Sequence, residues 1–115
     1  MNIGSLLALA LLPELVLARA TEAEIEYLNQ VNQHFERMTE SWQVEPTYRY
    51  SSQDELEFGQ YVCHLHIQGK GPDQIIPTWR DDFKFDTNLE MVQHQYEVTL
   101  YKSAIENLCP NQPKP

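Results

Sequence analysis

SQDELEFGQYVCHLHIQGKG, residues 52–71, holds one of the two cysteines, two of the four histidines and three of the four glycines. Two readings compete for it. Tyr61, Cys63, Leu65 and Ile67 alternate with Val62, His64 and His66, which is the period of a strand. Against this, Ser52-Gln53-Asp54-Glu55 has the form of a capping box, in which a hydroxyl and a carboxylate satisfy the free N–H groups of a helix start. Leu56, Gly59, Val62, Cys63 and His66 then recur at steps of three and four, with Leu65 alongside. Gly69 and Gly71 close the run, and glycine relieves left-handed strain past a helix end. A run of about 17 residues is also long for a strand. The pattern predicts a helix over 52–68.

Working outward, the flanking segments follow the same rule. Thr21-Glu22-Ala23-Glu24 is another capping box, and Ile25, Leu28, Val31, Phe35, Met38 and Trp42 form one apolar stripe on a helix over 21–43. Pro46 breaks the chain into a linker over 44–52. Thr87-Asn88-Leu89-Glu90 is a third box. It opens a helix over 88–108 with Leu89, Val92, Tyr96, Leu100, Ser103, Ala104 and Leu108 inward, and Pro110 stops it. Residues 110–115 read as a frayed tail. Between the second and third long helices, Pro77 is placed to open a short helix over 77–84, carrying Trp79 and Phe83. The expected fold is all-α: a small bundle of three long helices plus a short one.

The start of the chain, MNIGSLLALALLPELVLARA (1–20), is nearly all apolar and ends in Ala18-Arg19-Ala20. Small residues at those two positions suit a signal peptidase, so 1–20 is expected to be a signal peptide and 21–115 a single exported domain. No Lys or Arg precedes the apolar run, and Pro13 and Glu14 interrupt it. A retained amphipathic helix is therefore the alternative. The run is too short to be expected to span a bilayer, so no stable membrane insertion is expected after cleavage. Removing 20 residues takes away one base, Arg19, and one acid, Glu14, so the net charge stays at −9. That surface repels nucleic-acid phosphates and anionic lipid heads. It favours a dispersed monomer whose partner is a protein or a small molecule.

The chemistry of the two cysteines admits several readings. His64 and His66 are two apart and diverge on a helix, so they do not grip one ion. Cys63 with His66, and Cys109, His34 and His94 elsewhere, do not supply paired zinc motifs. A catalytic Cys–His pair needs a thiolate and a base in a cleft, and no such signature is present. Gly69-Lys70-Gly71 is too short for a phosphate loop. Asp86, Asn88, Glu90 and Glu97 match calcium-loop spacing, but Met91 stands where the turn needs glycine. No metal, cofactor or catalytic residue is expected. A disulfide fits best, either Cys63–Cys109 within the chain or a bridge to a second chain. The aromatic residues Trp42, Tyr48, Tyr50, Trp79, Phe83 and Phe85 either close the core or rim a groove.

Gly59-x-x-Val62-Cys63-x-Leu65-x-x-x-Gly69, followed by Ala104-x-x-x-Leu108-Cys109-Pro110, resembles the secreted domain-of-unknown-function family numbered 732, which comprises small exported bacterial helical proteins. The likeness covers about 52–110 and rests on the two cysteine neighbourhoods. His66 stands where that family has leucine. The resemblance implies a Cys63–Cys109 bond and an exported helical domain, and implies no activity. The functional expectation is a non-catalytic binding or structural module of the periplasm or extracellular space. The alternative is a small enzyme or metal-dependent activity.

Overall fold

The computed structural model describes residues 20–42, 49–80 and 82–111. The expected signal segment, the linker around Pro46 and the last four residues fall outside them. Among the described residues the fold is all-α. Three long helices, α1 (Glu22–Trp42), α2 (Ser52–Ile67) and α4 (Asn88–Asn107), are joined by a four-residue helix α3 (Pro72–Ile75) and followed by a 3-10 turn, Cys109–Asn111. None of the described helices is long and apolar enough to cross a membrane.

Helix α1 starts on a reciprocal box. The Glu24 N–H donates to Thr21 Oγ1 at 3.2 Å, and the Thr21 N–H donates to Glu24 Oε1 at 2.8 Å. Its inward face is wider than one stripe, because α1 packs against both other long helices. Tyr27 joins Leu28 and Val31 in the interior, while Ile25, Phe35 and Met38 are partly buried.

The helix reading of 52–68 holds. Neighbours Val62 and Cys63 are both fully buried while Tyr61 is 53 % exposed, a pattern that strand alternation does not produce. Its cap differs by one residue from expectation. Ser51, not Ser52, is the N-cap, its Oγ accepting from the Asp54 N–H at 3.1 Å. Glu55 takes no part in a box, because its carboxylate is drawn into the core. His66, placed on the inward stripe by its spacing, is exposed. The helix ends in a Schellman motif. The Lys70 N–H donates to the Leu65 carbonyl and the Gly69 N–H to that of His66, both at 3.0 Å, with Gly69 at φ +85°. That backbone region is costly for any residue with a Cβ.

The short helix lies earlier than expected. Pro72, not Pro77, takes the first helical position, with Gly71 as its cap and the Gln74 side chain accepting from the Gly71 N–H at 3.2 Å. Pro77 instead ends the element, since the residue before a proline is driven out of the helical region. Ile76 accordingly sits at φ −117°, ψ 103°. The described residues of 77–84 are turn, bend or irregular backbone, not helix. The anchor is apolar: Ile75 and Ile76 are both buried in the core.

Helix α4 is central, packed on α1 and α2. Thr87 caps it by accepting from the Glu90 N–H at 3.1 Å, but Glu90 reaches back to the Asp86 N–H at 2.8 Å rather than to that of Thr87. Val92, Tyr96, Leu100, Ser103, Ala104 and Leu108 are buried. Leu89 departs from the expected stripe at 47 % exposed, since the second helical residue lies beyond the reach of α1 and α2. Past Asn107 the chain continues into a 3-10 turn, Cys109–Asn111.

Gly59 is the point of closest approach between the helices. A Cβ there would lie 2.6 Å from Leu108 Cδ1 and 2.8 Å from Tyr27 Cζ. Gly59→Val should therefore lower the unfolding free energy by about 3 kcal/mol, the upper part of the overpacking range. Urea unfolding checks this; an unchanged midpoint would mean that α2 can shift away without loss.

Candidate functional site

Of the readings open to the two cysteines, the intramolecular bond is the one that forms. Cys63 and Cys109 form a disulfide with their Cα atoms 5.0 Å apart, in the range such bonds require. The bond ties the C-terminal part of α2 to the turn that follows α4. The histidines fall elsewhere. His64 and His66 are exposed, with Nε2 of His64 3.0 Å from the amide nitrogen of Gln68. His34 is exposed beside Arg37. Among the described residues no group of three or more His, Cys, Asp or Glu is arranged to hold a metal ion. Asn88 and Glu90 belong to the first turn of α4, where Glu90 serves as a cap.

Two constellations of polar and aromatic side chains draw on different faces of α4. The first is a buried carboxylate. Glu55 is 1 % exposed. Its Oε2 accepts a short hydrogen bond from the Tyr96 hydroxyl and lies 3.4 Å from Arg49 Nε. The Tyr96 oxygen in turn accepts from the Tyr50 N–H at 3.1 Å, and the Tyr27 hydroxyl donates to the Glu55 carbonyl at 2.5 Å. Arg49 also donates to Asn32 Oδ1 and lies over the Phe35 ring, 4.0 Å from its centroid. Burial pushes the Glu55 carboxyl above its usual range, against the opposing pull of Tyr96 and Arg49. Burial, then the Glu55 charge, drives the Tyr96 phenol far upward. Four segments are tied together through polar groups that satisfy one another. A carboxylate so enclosed has no face to offer a substrate, and its chemistry is structural.

The second constellation is open to solvent. Glu90, His94 and Glu97 lie on one face of α4 at steps of four and three, and the loop between α3 and α4 folds over them. The Thr78 hydroxyl is 2.7 Å from His94 Nδ1. The Phe85 ring lies 5.0 Å from that of His94 and 5.0 Å from that of Phe83, a contiguous row of three rings. With Gln93 they line a recess of about 290 Å³. Burial lowers the His94 pKa and raises that of the Glu97 carboxyl.

The aromatic residues thus divide. Tyr50 and Trp79 pack against the core, Trp79 edge-on to Tyr101 at 5.2 Å. Phe83 and Phe85 stand outside the core cluster and form the recess. The sequence groups Phe83 and Phe85 with the other aromatic residues as core or groove rim, treats His94 apart from them, and places Glu90 in a capping box and, with Glu97, at calcium-loop positions. The spacing of Glu90, His94 and Glu97 shows that they share a helical face, but nothing local shows that the loop covers it. Glu55 was seen as a capping residue, and its role in the core was missed. Compared with models of protein families, with curated proteins and with solved structures, the chain finds no match.

Proposed function

We propose that this chain is an exported, non-catalytic binding module whose contact site is the recess formed by Phe83, Phe85 and His94. The carrying observation is that row of rings standing outside the core and open to solvent. Apolar side chains with a few polar groups at the rim are the usual make-up of a ligand site. The disulfide, the apolar start with Ala18-Arg19-Ala20 and the likeness of the two cysteine elements to the secreted family numbered 732 support export, since such bonds persist in oxidising compartments. The carboxylate in the core, Glu55, is enclosed, which favours binding over catalysis.

Two measurements test this reading. Titration with phenol, a compact aromatic probe, should shift NMR signals of Phe83, Phe85, His94 and Glu97 before any others. Shifts scattered over the surface, or none, would remove the recess as the contact site. N-terminal sequencing of the protein recovered from the envelope or medium should begin at Thr21. An intact Met1 there would overturn the cleavage. The free ammonium at Thr21 would then meet the Glu24 carboxylate that the Thr21 N–H already contacts.

A further inference from the structure

We infer that the recess between α4 and its covering loop takes a small organic ammonium ion, held over the Phe83, Phe85 and His94 rings and against the Glu97 carboxylate. This deepens the binding reading above and rests on it. Aromatic faces carry negative potential, and a desolvated cation over them is held by about 0.5–2 kcal/mol. Three such rings lie in a row here, with centroids 5.0 Å apart at each step. Burial opposes protonation of the third, which would put a competing charge in the site.

The charges present call for a cation and against an anion. Glu90 and Glu97 both line the recess, and among the described residues no Lys or Arg does. Within the covering loop Arg80 pairs with Asp82 at 2.8 Å, and Lys84 is exposed. Glu97 is half-buried, and no described residue gives it a hydrogen bond or an ion pair. Burial has raised its pKa, the state that a bound cation would reverse. A neutral apolar guest would fill the space and leave that carboxylate unpaired. A volume of about 290 Å³ is at the lower limit of small-molecule sites, which selects a compact guest. A net charge of −9 also raises the local concentration of cations at the surface.

The test compares choline with its uncharged isostere, the alcohol in which carbon replaces the quaternary nitrogen, both titrated into the oxidised protein and read by NMR. Choline should shift the ring signals of Phe83, Phe85 and His94 and bind roughly ten-fold more tightly than the alcohol. Glu97→Gln, which preserves shape, should weaken choline binding about five-fold and leave the alcohol unchanged. Phe83→Leu, at an exposed position, should weaken choline about three-fold, and thermal unfolding of both variants should show that the fold is kept. Equal affinity for choline and the alcohol at the recess would overturn the charge preference while leaving the binding module standing. If choline, the alcohol and phenol all leave the recess signals unmoved, both readings fall.

Discussion

Reducing the Cys63–Cys109 bond should lower the unfolding free energy by about 4 kcal/mol. The two residues are 46 apart in sequence. A closed loop of that size restricts the unfolded chain by about that amount in the chain-entropy account. It is a large share of the stability of a domain this small, which lies in the range of about 5–15 kcal/mol. Cys63 is fully buried, so Cys63→Ala with Cys109→Ala also removes sulfur from the core. The reduced wild type isolates the cross-link from that packing loss. Loosening should begin at the Cys109–Asn111 turn, because α4 itself stays packed between α1 and α2. Urea unfolding with and without reductant measures the cost. Amide exchange that stays slow at the turn after reduction would show that packing alone holds it.

Tyr96→Phe should cost about 3 kcal/mol, far more than the loss of one exposed hydroxyl. It takes the donor from a buried Glu55 oxygen and the acceptor from the Tyr50 N–H together. Weakening the hydrogen bonding of a buried carboxylate costs about 1–3 kcal/mol, and more where it is charged. Arg49→Met should fall in the same range, because it leaves the Glu55 carboxylate without its cation. Glu55→Gln should cost less, since an amide oxygen can still accept from Tyr96.

The same residue sets a pH dependence of unusual sign. The folded-state pKa of Glu55 is raised above its unfolded value. Between the two values the folded chain therefore binds more protons, and stability falls as pH rises. Acidification from neutral toward the ordinary carboxylate range should thus raise the urea midpoint. Glu97 acts in the same direction and His94 opposes it, its pKa being lowered by burial. Glu55→Gln should flatten the profile; an unchanged slope in that variant would remove Glu55 as its source.

What the sequence determined by itself were the features written within four residues of one another. The helix starts at Thr21 and Thr87, the glycine stop at Gly69 and most of the inward stripes, Leu89 and His66 excepted, rest on such short spacings, and so they were legible. The disulfide followed from a count of two cysteines in a chain with an export signature. Even there, the choice between an internal bond and a bridge to a second chain needed coordinates. The tertiary structure decided everything that depended on distant partners. Ser52 and Glu55 make a good capping box on paper. Glu55 is instead claimed by Tyr96, 41 residues away, which moves the cap to Ser51. Pro72 and Pro77 are equally able to open a helix. The choice fell to Pro72 because Ile75 and Ile76 could then reach the core. The recess belongs to the same class. Phe83 and Phe85 carry no local mark that separates them from Trp79. Only the path of the loop across α4 places Trp79 against the core and leaves the two phenylalanine rings beside His94 and Glu97. A local signal is settled by backbone geometry, whereas burial is settled by which surfaces meet, and short spacings carry no information about that.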